Sequence, residues 1–450
     1  MKTKKIISIT LSLLILLSAV VFAFPASATS TSESLQVEIN TADKNSVAPL
    51  STLQSYQSYL DKIVNLKEFT GVAYVTQNGY VLCQSANGMQ STLDNKEMTI
   101  DTLFPLGSVS KQFCATAVLL LQEQGKLSVH DTMEKYFPEY EIGKDVTVQN
   151  LLNMTSGIRD HVNIDDTYIG HEIPTDEYFL YETATSAENK KTITDWLFTQ
   201  QLKFTPGSSF SYSNANFFLL SIIVEQVSDM NYMDFIKQNI FTPLGMTNSG
   251  FYEELFDSPD LAEHSLPDGL QPSEPHFHGL SQGAGDLVSN AKDMDKWLTS
   301  ISDRTLLSEE SYEEMTTDYG YDYGYGIFIG SKDGSIYHGG NIATYESCAL
   351  TIPEKDINIF VVTNNVVAMN SKNLPMPTFA QGISNKVRTS MFGDVNGDGD
   401  ITVLDATTIQ MHVAQLQMLT DKQAKRGDTN GDGEVSVLDA TDIQRLIAKL

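Results

Sequence analysis

The sequence is short of cysteine and of positive charge. Its 450 residues contain three cysteines, and an odd number without a recurring spacing does not make a disulfide framework. Cys114 lies in an apolar helical pattern and is expected to be a buried thiol, whereas pairing of Cys83 with Cys348 stays open. Lys and Arg number 29 against 57 Asp and Glu, a formal net charge of -28, which argues against a nucleic-acid partner. The 41% apolar content is ample for a packed core in two or three domains.

Long apolar runs are also missing beyond the N-terminus. The one such run, Ile6–Phe24, follows three lysines and precedes Ala26-Ser27-Ala28, a small-residue cleavage site. The alternative is an uncleaved membrane anchor, because the run almost spans a bilayer, but its serines and threonine dilute it. We expect a signal peptide at 1–28, a leader or linker at 29–50, and a secreted, extracellular protein with no membrane span in the mature chain.

The segment 51–388 has strand patterns at both ends and helical patterns between them. Near its start, two strand-like runs flank Asn78-Gly79, a strong hairpin signal. Such an arrangement predicts an α+β fold, an antiparallel sheet flanked by helices with a mostly helical insert. The expected strands are Gly71–Val75, Tyr80–Cys83, Tyr325–Ile329, Ser335–His338, Cys348–Ile352 and Ile357–Val362. The clearest expected helices run through Leu53 to Ile63, Ser108 to Gln124 and Thr378 to Arg388.

Residues 389–450 contain one acidic unit twice, 34 residues apart. In each copy, oxygen-bearing side chains occupy loop positions 1, 3 and 5, a glycine follows at position 6, and an aspartate closes the loop at position 12. Calcium takes about six to eight oxygen ligands, and the glycine makes the sharp turn between them. We therefore expect two structural calcium ions. The predicted ligands are Asp394, Asn396, Asp398, Asp400 and Asp405 in the first loop, and Asp428, Asn430, Asp432, Glu434 and Asp439 in the second.

An apolar helical stripe follows each loop, so the two helices can bury each other as a small all-α module. The stripes are Ala406, Ile409, Val413, Leu416 and Ala440, Ile443, Ile447, Leu450. The segment resembles a cellulosomal dockerin, including a closing Asp in place of Glu and the lack of an incoming helix. The resemblance implies a cohesin module of a scaffoldin as partner, contacted through Val403-Leu404 or Val437-Leu438. The alternative is a calcium-stabilised tail without a partner.

The segment Ser108-Val109-Ser110-Lys111 lies where an extended stretch turns into an apolar helix. Residues three apart share a helix face, so the Lys111 amine can reach the Ser108 hydroxyl. A serine hydroxyl needs a nearby base, and a lysine desolvated at the top of a buried helix has a lowered pKa. The same spacing recurs at Ser289 and Lys292, where Ser289 is expected to be a helix N-cap.

Two further motifs favour Ser108. Tyr212-Ser213-Asn214 is the only Tyr-x-Asn in the chain. A tyrosine near a lysine can act as a general base, and Asn214 can orient either the substrate or the lysine. His338-Gly339-Gly340 is expected at the end of a strand, where glycines let a substrate approach the backbone. The amides of Ser108 and Asn341 are candidate oxyanion-hole donors.

Together the motifs resemble the serine β-lactamase and penicillin-binding superfamily, nearest to class C and its esterase, D-aminopeptidase and carboxypeptidase relatives. The resemblance implies an acylated Ser108, with Lys111 and Tyr212 as proton-transfer partners and no cofactor for catalysis. His338-Gly339-Gly340 stands where many members carry Lys-Thr-Gly. Three further stretches support it: Leu151–Gly157, Pro243–Met246 and Gly283–Asp286.

The expected substrate is a neutral ester or amide. A β-lactam or a D-Ala terminus carries a carboxylate that a lysine in the third motif would hold, whereas His338 is mostly neutral at pH 7. The docking module associates the enzyme with plant cell-wall polysaccharide degradation. The alternatives are a β-lactamase, a D-Ala-D-Ala carboxypeptidase, or an inactive binder of glycan or peptidoglycan. His276-Phe277-His278 invites a zinc interpretation without a third ligand nearby, and the acidic stretch 160–191 is either a pocket rim or a solvated insertion.

Overall fold

The structure is a computed structural model that describes residues 50–77, 79–92, 94–162, 186–266, 269–271, 279–331, 333–389, 393–397, 401–429 and 434–448. The signal peptide expected at 1–28 lies outside these ranges, as does the leader apart from Leu50. Within them, no helix is long and apolar enough to cross a membrane.

Six of the strands described in the sheet domain (residues 50–389) form its central sheet. In chain order the described strands are β1 (Gly71–Gln77), β2 (Tyr80–Asn87), β3 (Met89–Ser91), β4 (Lys96–Glu97), β5 (Phe104–Pro105), β6 (Gly250–Phe251), β7 (His264–Leu266), β8 (Gly269–Gln271), β9 (Leu287–Ser289), β10 (Phe328–Gly330), β11 (Ser335–Ile342), β12 (Tyr345–Ile352) and β13 (Ile357–Thr363). The central sheet has the order β10-β11-β12-β13-β1-β2 and is antiparallel throughout. Since β1 pairs with β13, both ends of the domain close one sheet, as predicted.

Helices cover the sheet and form the insert between β5 and β9. They are α1 (Leu50–Lys67), α2 (Ser110–Glu123), α3 (Met133–Tyr136), α4 (Val148–Leu152), α5 (Ser186–Thr199), α6 (Asn214–Ser228), α7 (Tyr232–Ile236), α8 (Thr242–Leu244), α9 (Tyr252–Leu255), α10 (Ala291–Ser302), α11 (Glu309–Thr316), α12 (Val366–Ser371) and α13 (Met376–Thr389). A 3-10 turn at Gly107–Val109 leads into α2. The C-terminal module (residues 393–448) has α14 (Val403–Val413), α15 (Asp421–Gly427) and α16 (Val437–Ile447).

The side chains of β1 alternate between two buried faces, which is why Val72–Val75 contains no charged residue and is mostly apolar. Val72 and Tyr74 pack into the core shared with the helical insert, including Phe113 of α2. Ala73 and Val75 pack on the opposite face, against α1 and α13. The sheet is therefore the middle layer of three, with α10 packed on one face and α1 and α13 on the other, and α2 packs on α10 through Phe113 and Trp297.

Two strand predictions need correction. The strand expected at Tyr325–Ile329 starts only at Phe328, because Gly326 has a φ of 69°, which is incompatible with extended backbone. The strand expected to end at His338 continues to Ile342, so the histidine lies in its middle rather than at its end. Pairing with β12 continues through Gly339, Gly340 and Asn341, which prolongs the strand.

The three cysteines are free and buried. Cys83 lies on β2 and Cys348 on β12, with β13 and β1 between them. Neighbouring strands are about 4.8 Å apart, so the two thiols are separated by far more than the ~7 Å between Cα atoms that a disulfide tolerates. The structure thus resolves the open pairing, and the burial expected for Cys114 is confirmed.

In the C-terminal module, α14 and α16 bury only the first half of each predicted stripe. Ala406, Ile409, Ala440 and Ile443 are at most 1% exposed. Val413, Leu416 and Ile447 instead remain exposed, because the two helices meet only near their N-terminal ends. The predicted lack of an incoming helix is wrong for the second loop, which α15 precedes, its first turn stabilised by a Thr420–Gln423 capping box.

Candidate active site

Ser108 lies in the 3-10 turn that joins β5 to α2. Gly107 makes the turn possible with a φ of 54°, and a Cβ at that position would come within 2.9 Å of the Asn341 amide nitrogen. The turn therefore lies directly against β11. Because Lys111 is in the first turn of α2, its Nζ reaches the Ser108 Oγ at 3.0 Å, as the spacing predicts.

The Lys111 amine is fully buried and held by three oxygen atoms. It donates to the Ser108 Oγ, to the Asn214 Oδ1 at 2.8 Å and to the Ala284 carbonyl at 2.7 Å. Burial disfavours its charged form and lowers the pKa of Lys111 to about 7, against smaller opposing effects of nearby carboxylates. A neutral amine beside Ser108 is therefore accessible at neutral pH.

Tyr212 lies beside the same pair of residues. Its ring centroid is 4.9 Å from the Lys111 Nζ, and its hydroxyl hydrogen bonds with Ser108. Burial raises the pKa of Tyr212 well above its ordinary value, and the bond to Ser108 only partly offsets this. The phenol is protonated at neutral pH, so it is a proton donor or relay in the resting protein rather than a base.

His338 is buried in the middle of β11 and held from both ring nitrogens. Nδ1 lies 2.6 Å from the Gly339 carbonyl oxygen, which can only accept, so Nδ1 carries the proton and Nε2 accepts from the Tyr323 hydroxyl at 3.2 Å. Burial and the charge of Lys111 lower the pKa of His338 to about 3. The third motif is therefore neutral at physiological pH.

Gly340 has to be a glycine for Ser108 and β11 to lie side by side. A Cβ there would stand 1.9 Å from the Leu106 carbonyl oxygen and 2.6 Å from the Ser347 Oγ. Ser347 in turn donates to the Leu106 carbonyl at 2.8 Å. The hydrogen bond thus holds the backbone before Ser108 against the sheet, next to Asn341. An oxyanion hole formed by the Ser108 and Asn341 amides requires this arrangement.

The site contains a cavity of about 620 Å³, which Lys111 and His338 do not line because both are buried. Ser108, Tyr212, Asn214, Gly339, Gly340 and Asn341 all line it. Among the described lining residues none is Lys or Arg, and Glu346 supplies a carboxylate whose pKa burial raises. The described part of the cavity wall therefore offers no Lys or Arg side chain to anchor a carboxylate.

The second Ser-x-x-Lys is not part of this site. The Ser289 hydroxyl hydrogen bonds with that of Ser249 at 2.8 Å, and Lys292 forms an ion pair with Asp101 at 2.9 Å. The N-cap of α10 is Asn290, which accepts from the Asp293 amide, whereas Ser289 ends β9, so its N-cap assignment is off by one residue. Its pairing with β5 and β6 keeps Ser289 extended.

Sequence reasoning missed three contributors: Asp160, Tyr323 and the Ala284 carbonyl. Asp160 accepts a bond from the Asn214 side chain at 2.9 Å, and Ala284 binds Lys111 through its backbone. Gly283–Asp286 was noted as supporting the resemblance, but a backbone contact has no side-chain signature. Asp160 begins the acidic stretch 160–191, and nothing in the sequence distinguishes its buried carboxylate from the other acidic residues of that stretch.

The chain is similar in sequence to two known protein families. The Beta-lactamase family model matches residues 60–374, well over half of the chain. The chain belongs to the β-lactamase family. The model of the Dockerin type I domain matches residues 392–450. The comparison thus confirms both family resemblances, to the β-lactamase family and to the dockerin.

Relatives of the β-lactamase-family domain include penicillin-binding proteins. PbpX, a putative penicillin-binding protein of Bacillus subtilis (strain 168), is 30% identical over 302 residues, 66% of this chain and 69% of that protein. Penicillin-binding protein 4* of the same organism is 27% identical over 293 residues, covering 59% and 61%. The octameric penicillin-binding protein homologue from Pyrococcus abyssi shares 26% identity with a TM-score of 0.58, covering 75% and 81%. A D-amino acid amidase from Ochrobactrum anthropi SV3 has a similar fold, with a TM-score of 0.58 and 23% identity. The match covers 75% of this chain and 97% of the amidase.

The dockerin loops carry carboxylates suited to calcium, the ion that type I dockerins bind. Asp405 and Asp439 are fully buried, and each accepts backbone amides of its own loop, Asn396 and Thr402 in the first, Thr429 and Ser436 in the second. Buried acceptor-only carboxylates beside further loop oxygens fit a hard cation. The predicted ligands Asp398, Asp400, Asn430 and Asp432 lie outside the described residues, as do His276 and His278. In the described ranges no group of three His, Cys, Asp or Glu side chains is placed to hold a metal.

Proposed function

We propose that this protein is a secreted serine hydrolase that cleaves a neutral ester or amide through an acyl-enzyme. The observation that supports it is the meeting of the Ser108 hydroxyl, the Lys111 amine and the Tyr212 phenol at one cavity wall. A nucleophile, a base with a pKa near the working pH and a proton relay are the components that acyl transfer requires.

The first half-reaction uses the neutral form of Lys111. The Ser108 Oγ attacks the substrate carbonyl carbon while its proton passes to the lysine amine, and the carbonyl electrons move onto the oxygen, where the Ser108 and Asn341 amides stabilise the charge. The tetrahedral intermediate collapses as the bond to the leaving group breaks. Tyr212 gives its proton to the leaving group and regains one from the Lys111 ammonium. Water then releases the acid by the same steps in reverse, which restores Ser108.

The third motif supports a substrate without a carboxylate. His338 is neutral and buried, and the described cavity wall carries the acidic Glu346 in place of a cation. In a chain of net charge -28, a negatively charged substrate would also be repelled at long range. A neutral ester or amide meets neither penalty.

A second candidate is a penicillin-binding or β-lactamase activity. The observation that favours it is the 30% identity to a putative penicillin-binding protein. The neutral His338 argues against strong anchoring of the β-lactam carboxylate. Comparison of kcat/KM for short-chain nitrophenyl esters and for a chromogenic cephalosporin separates the candidates, and a large excess for the cephalosporin would overturn the ester assignment.

The decisive experiment labels the protein with a fluorophosphonate probe. We expect stoichiometric labelling that Ser108→Ala abolishes, together with ester hydrolysis, because the hydroxyl is the only acceptor of the acyl group in this scheme. Ser289→Ala is the matched control, since it removes the serine of the second Ser-x-x-Lys, and it should label like the wild type. Labelling that survives Ser108→Ala would contradict the proposal, and a protein that never labels or turns over would be a binder.

The dockerin supports a location and a context. We infer that the mature chain is extracellular and attached through a cohesin module to a scaffoldin, in the setting of plant cell-wall polysaccharide degradation. The pairs Val403-Leu404 and Val437-Leu438 support this, because all four side chains are 56–62% exposed just before the closing aspartates. Exposed apolar pairs of this kind are typical of interaction surfaces.

A further inference from the structure

We propose that Asp160 is a positioning residue for the acyl-transfer reaction: its carboxylate holds the Asn214 amide in the orientation that presents the Asn214 oxygen to Lys111. This rests on the proposed function of the Ser108 site and adds a residue to it. Asp160 stands 52 positions after Ser108 and belongs to none of the three motifs.

The geometry is a chain of hydrogen bonds leading away from the nucleophile. Lys111 donates to Ser108 and to the Asn214 Oδ1 at 2.8 Å, and the Asn214 Nδ2 donates to the Asp160 Oδ2 at 2.9 Å. Carboxylate oxygens only accept, so the Asn214 amide must turn its NH2 group to Asp160. Its oxygen is then the atom that faces the lysine. Without Asp160, a rotation of the amide by half a turn would place NH2 against the Lys111 amine.

Asp160 is itself immobilised. It is 3% exposed, and its second oxygen, Oδ1, accepts from the Val162 amide at 2.9 Å. The segments that carry Asp160 and Asn214 are joined by hydrogen bonds, among them Ser156 to Asn216 at 2.6 Å and the Ser211 amide to the Met154 carbonyl at 3.0 Å. The carboxylate is thus delivered to Asn214 by a braced backbone, as a positioning role requires.

The charge of Asp160 acts on the lysine as well. It is the largest of the influences that oppose the burial-driven fall in the pKa of Lys111. Removing the charge should therefore lower that pKa further. The other titratable groups that act on Lys111 or on which it acts are Asp286, Cys114, His161 and His338, and Tyr212 lies beside it. All of these residues are retained in an Asp160 variant, and Asp160 acts directly on two of them, His161 and Tyr212, whose pKa values it raises.

The experiment is a double-mutant cycle of Asp160→Ala and Asn214→Ala, read as kcat and KM on a nitrophenyl ester. We expect Asp160→Ala to lower kcat by about 10²-fold with little change in KM, because the base is misplaced rather than the substrate. In the Asn214→Ala background, the same change should have almost no further effect, since its target is gone. Additive losses would mean that Asp160 merely supports the fold and would overturn the proposal.

Conservative variants and a structural control complete the test. Asp160→Asn keeps the shape and one acceptor oxygen, so it should recover part of kcat and move the acidic limb of the pH profile down by about one unit. Asp293→Asn changes another fully buried aspartate, which binds the Asn248 amide away from the cavity, and should lower thermal stability without moving that limb. An unmoved limb in Asp160→Asn would contradict the proposal. Titration of the Lys111 amine by NMR gives the same comparison without turnover, so an inactive wild type would refute the hydrolase proposal and still test Asp160.

Discussion

At the scale of single residues, burial rather than ion pairing determines the chemistry. Desolvation lowers the pKa of Lys111 to about 7, raises that of Tyr212 and lowers that of His338 to about 3. Each shift disfavours the charged form, as expected for groups removed from water. At neutral pH Tyr212 and His338 are therefore uncharged, and the neutral form of Lys111 is accessible.

These shifts predict the pH profile of ester hydrolysis. The base form of Lys111 exists above its pKa, so kcat/KM should rise with pH through about 7 and level off, without an alkaline fall from Tyr212 below pH 10. Burial also raises the pKa of Asp286 to about 7, so this carboxyl could produce the same rise in kcat/KM. The Asp286→Asn variant separates the two groups, because a rise due to Lys111 should persist in it. A profile that falls as pH rises from 6 to 8 would contradict Lys111 as the base.

At the scale of elements, the site depends on one close contact between the turn before α2 and strand β11. The contact explains why the strand carries Gly339-Gly340 in its middle rather than at its end. A side chain at position 340 would separate the Ser108 amide from the Asn341 amide.

Gly340→Ala and Gly382→Ala form a matched pair that tests this contact. At 340 the new Cβ meets the Leu106 oxygen at 1.9 Å, so we expect a loss of about 2 kcal/mol or more in the free energy of unfolding and of most activity. At position 382, within α13, the new Cβ meets no atom of another element within 4 Å. Alanine there should raise the free energy of unfolding by about 0.5–1 kcal/mol. Thermal melts and ester kinetics of both variants measure the difference. Full activity in Gly340→Ala would show that β11 can withdraw from the turn at no cost.

At the scale of the whole molecule, the two modules are held by different forces. The sheet domain has two large apolar cores, whereas the buried cluster in the described part of the dockerin contains five residues. A cluster this small does not stabilise a domain unaided, so bound calcium has to supply the remainder.

Chelation should therefore affect only one module. We expect a chelator to remove cohesin capture and the low-temperature unfolding transition while Ser108 labelling is unchanged, and calcium to restore both. Asp405→Ala together with Asp439→Ala should reproduce the effect of the chelator in its absence. Replacing either Val403-Leu404 or Val437-Leu438 alone should leave cohesin capture by the other face. Capture should be lost only when both pairs are replaced. Calcium-independent capture, or none by any cohesin tested, would contradict the docking proposal.

The sequence by itself determined what depends on near neighbours in the chain. Lys111 reaches Ser108 because it follows three positions later at the start of a helix, and the predicted calcium ligands of the dockerin recur at fixed positions of one repeat. The pairing of the first strands with the last ones followed from their order, and the sheet confirms it.

Only the tertiary structure decided what depends on distant contacts. Three such features have no signature in the local sequence. Asp160 binds Asn214, the backbone carbonyl of Ala284 binds Lys111, and Cys83 and Cys348 are too far apart to form a disulfide. The reason is physical: local spacing is transmitted through the geometry of a single helix or loop, whereas these contacts arise from packing between elements that the sequence keeps far apart.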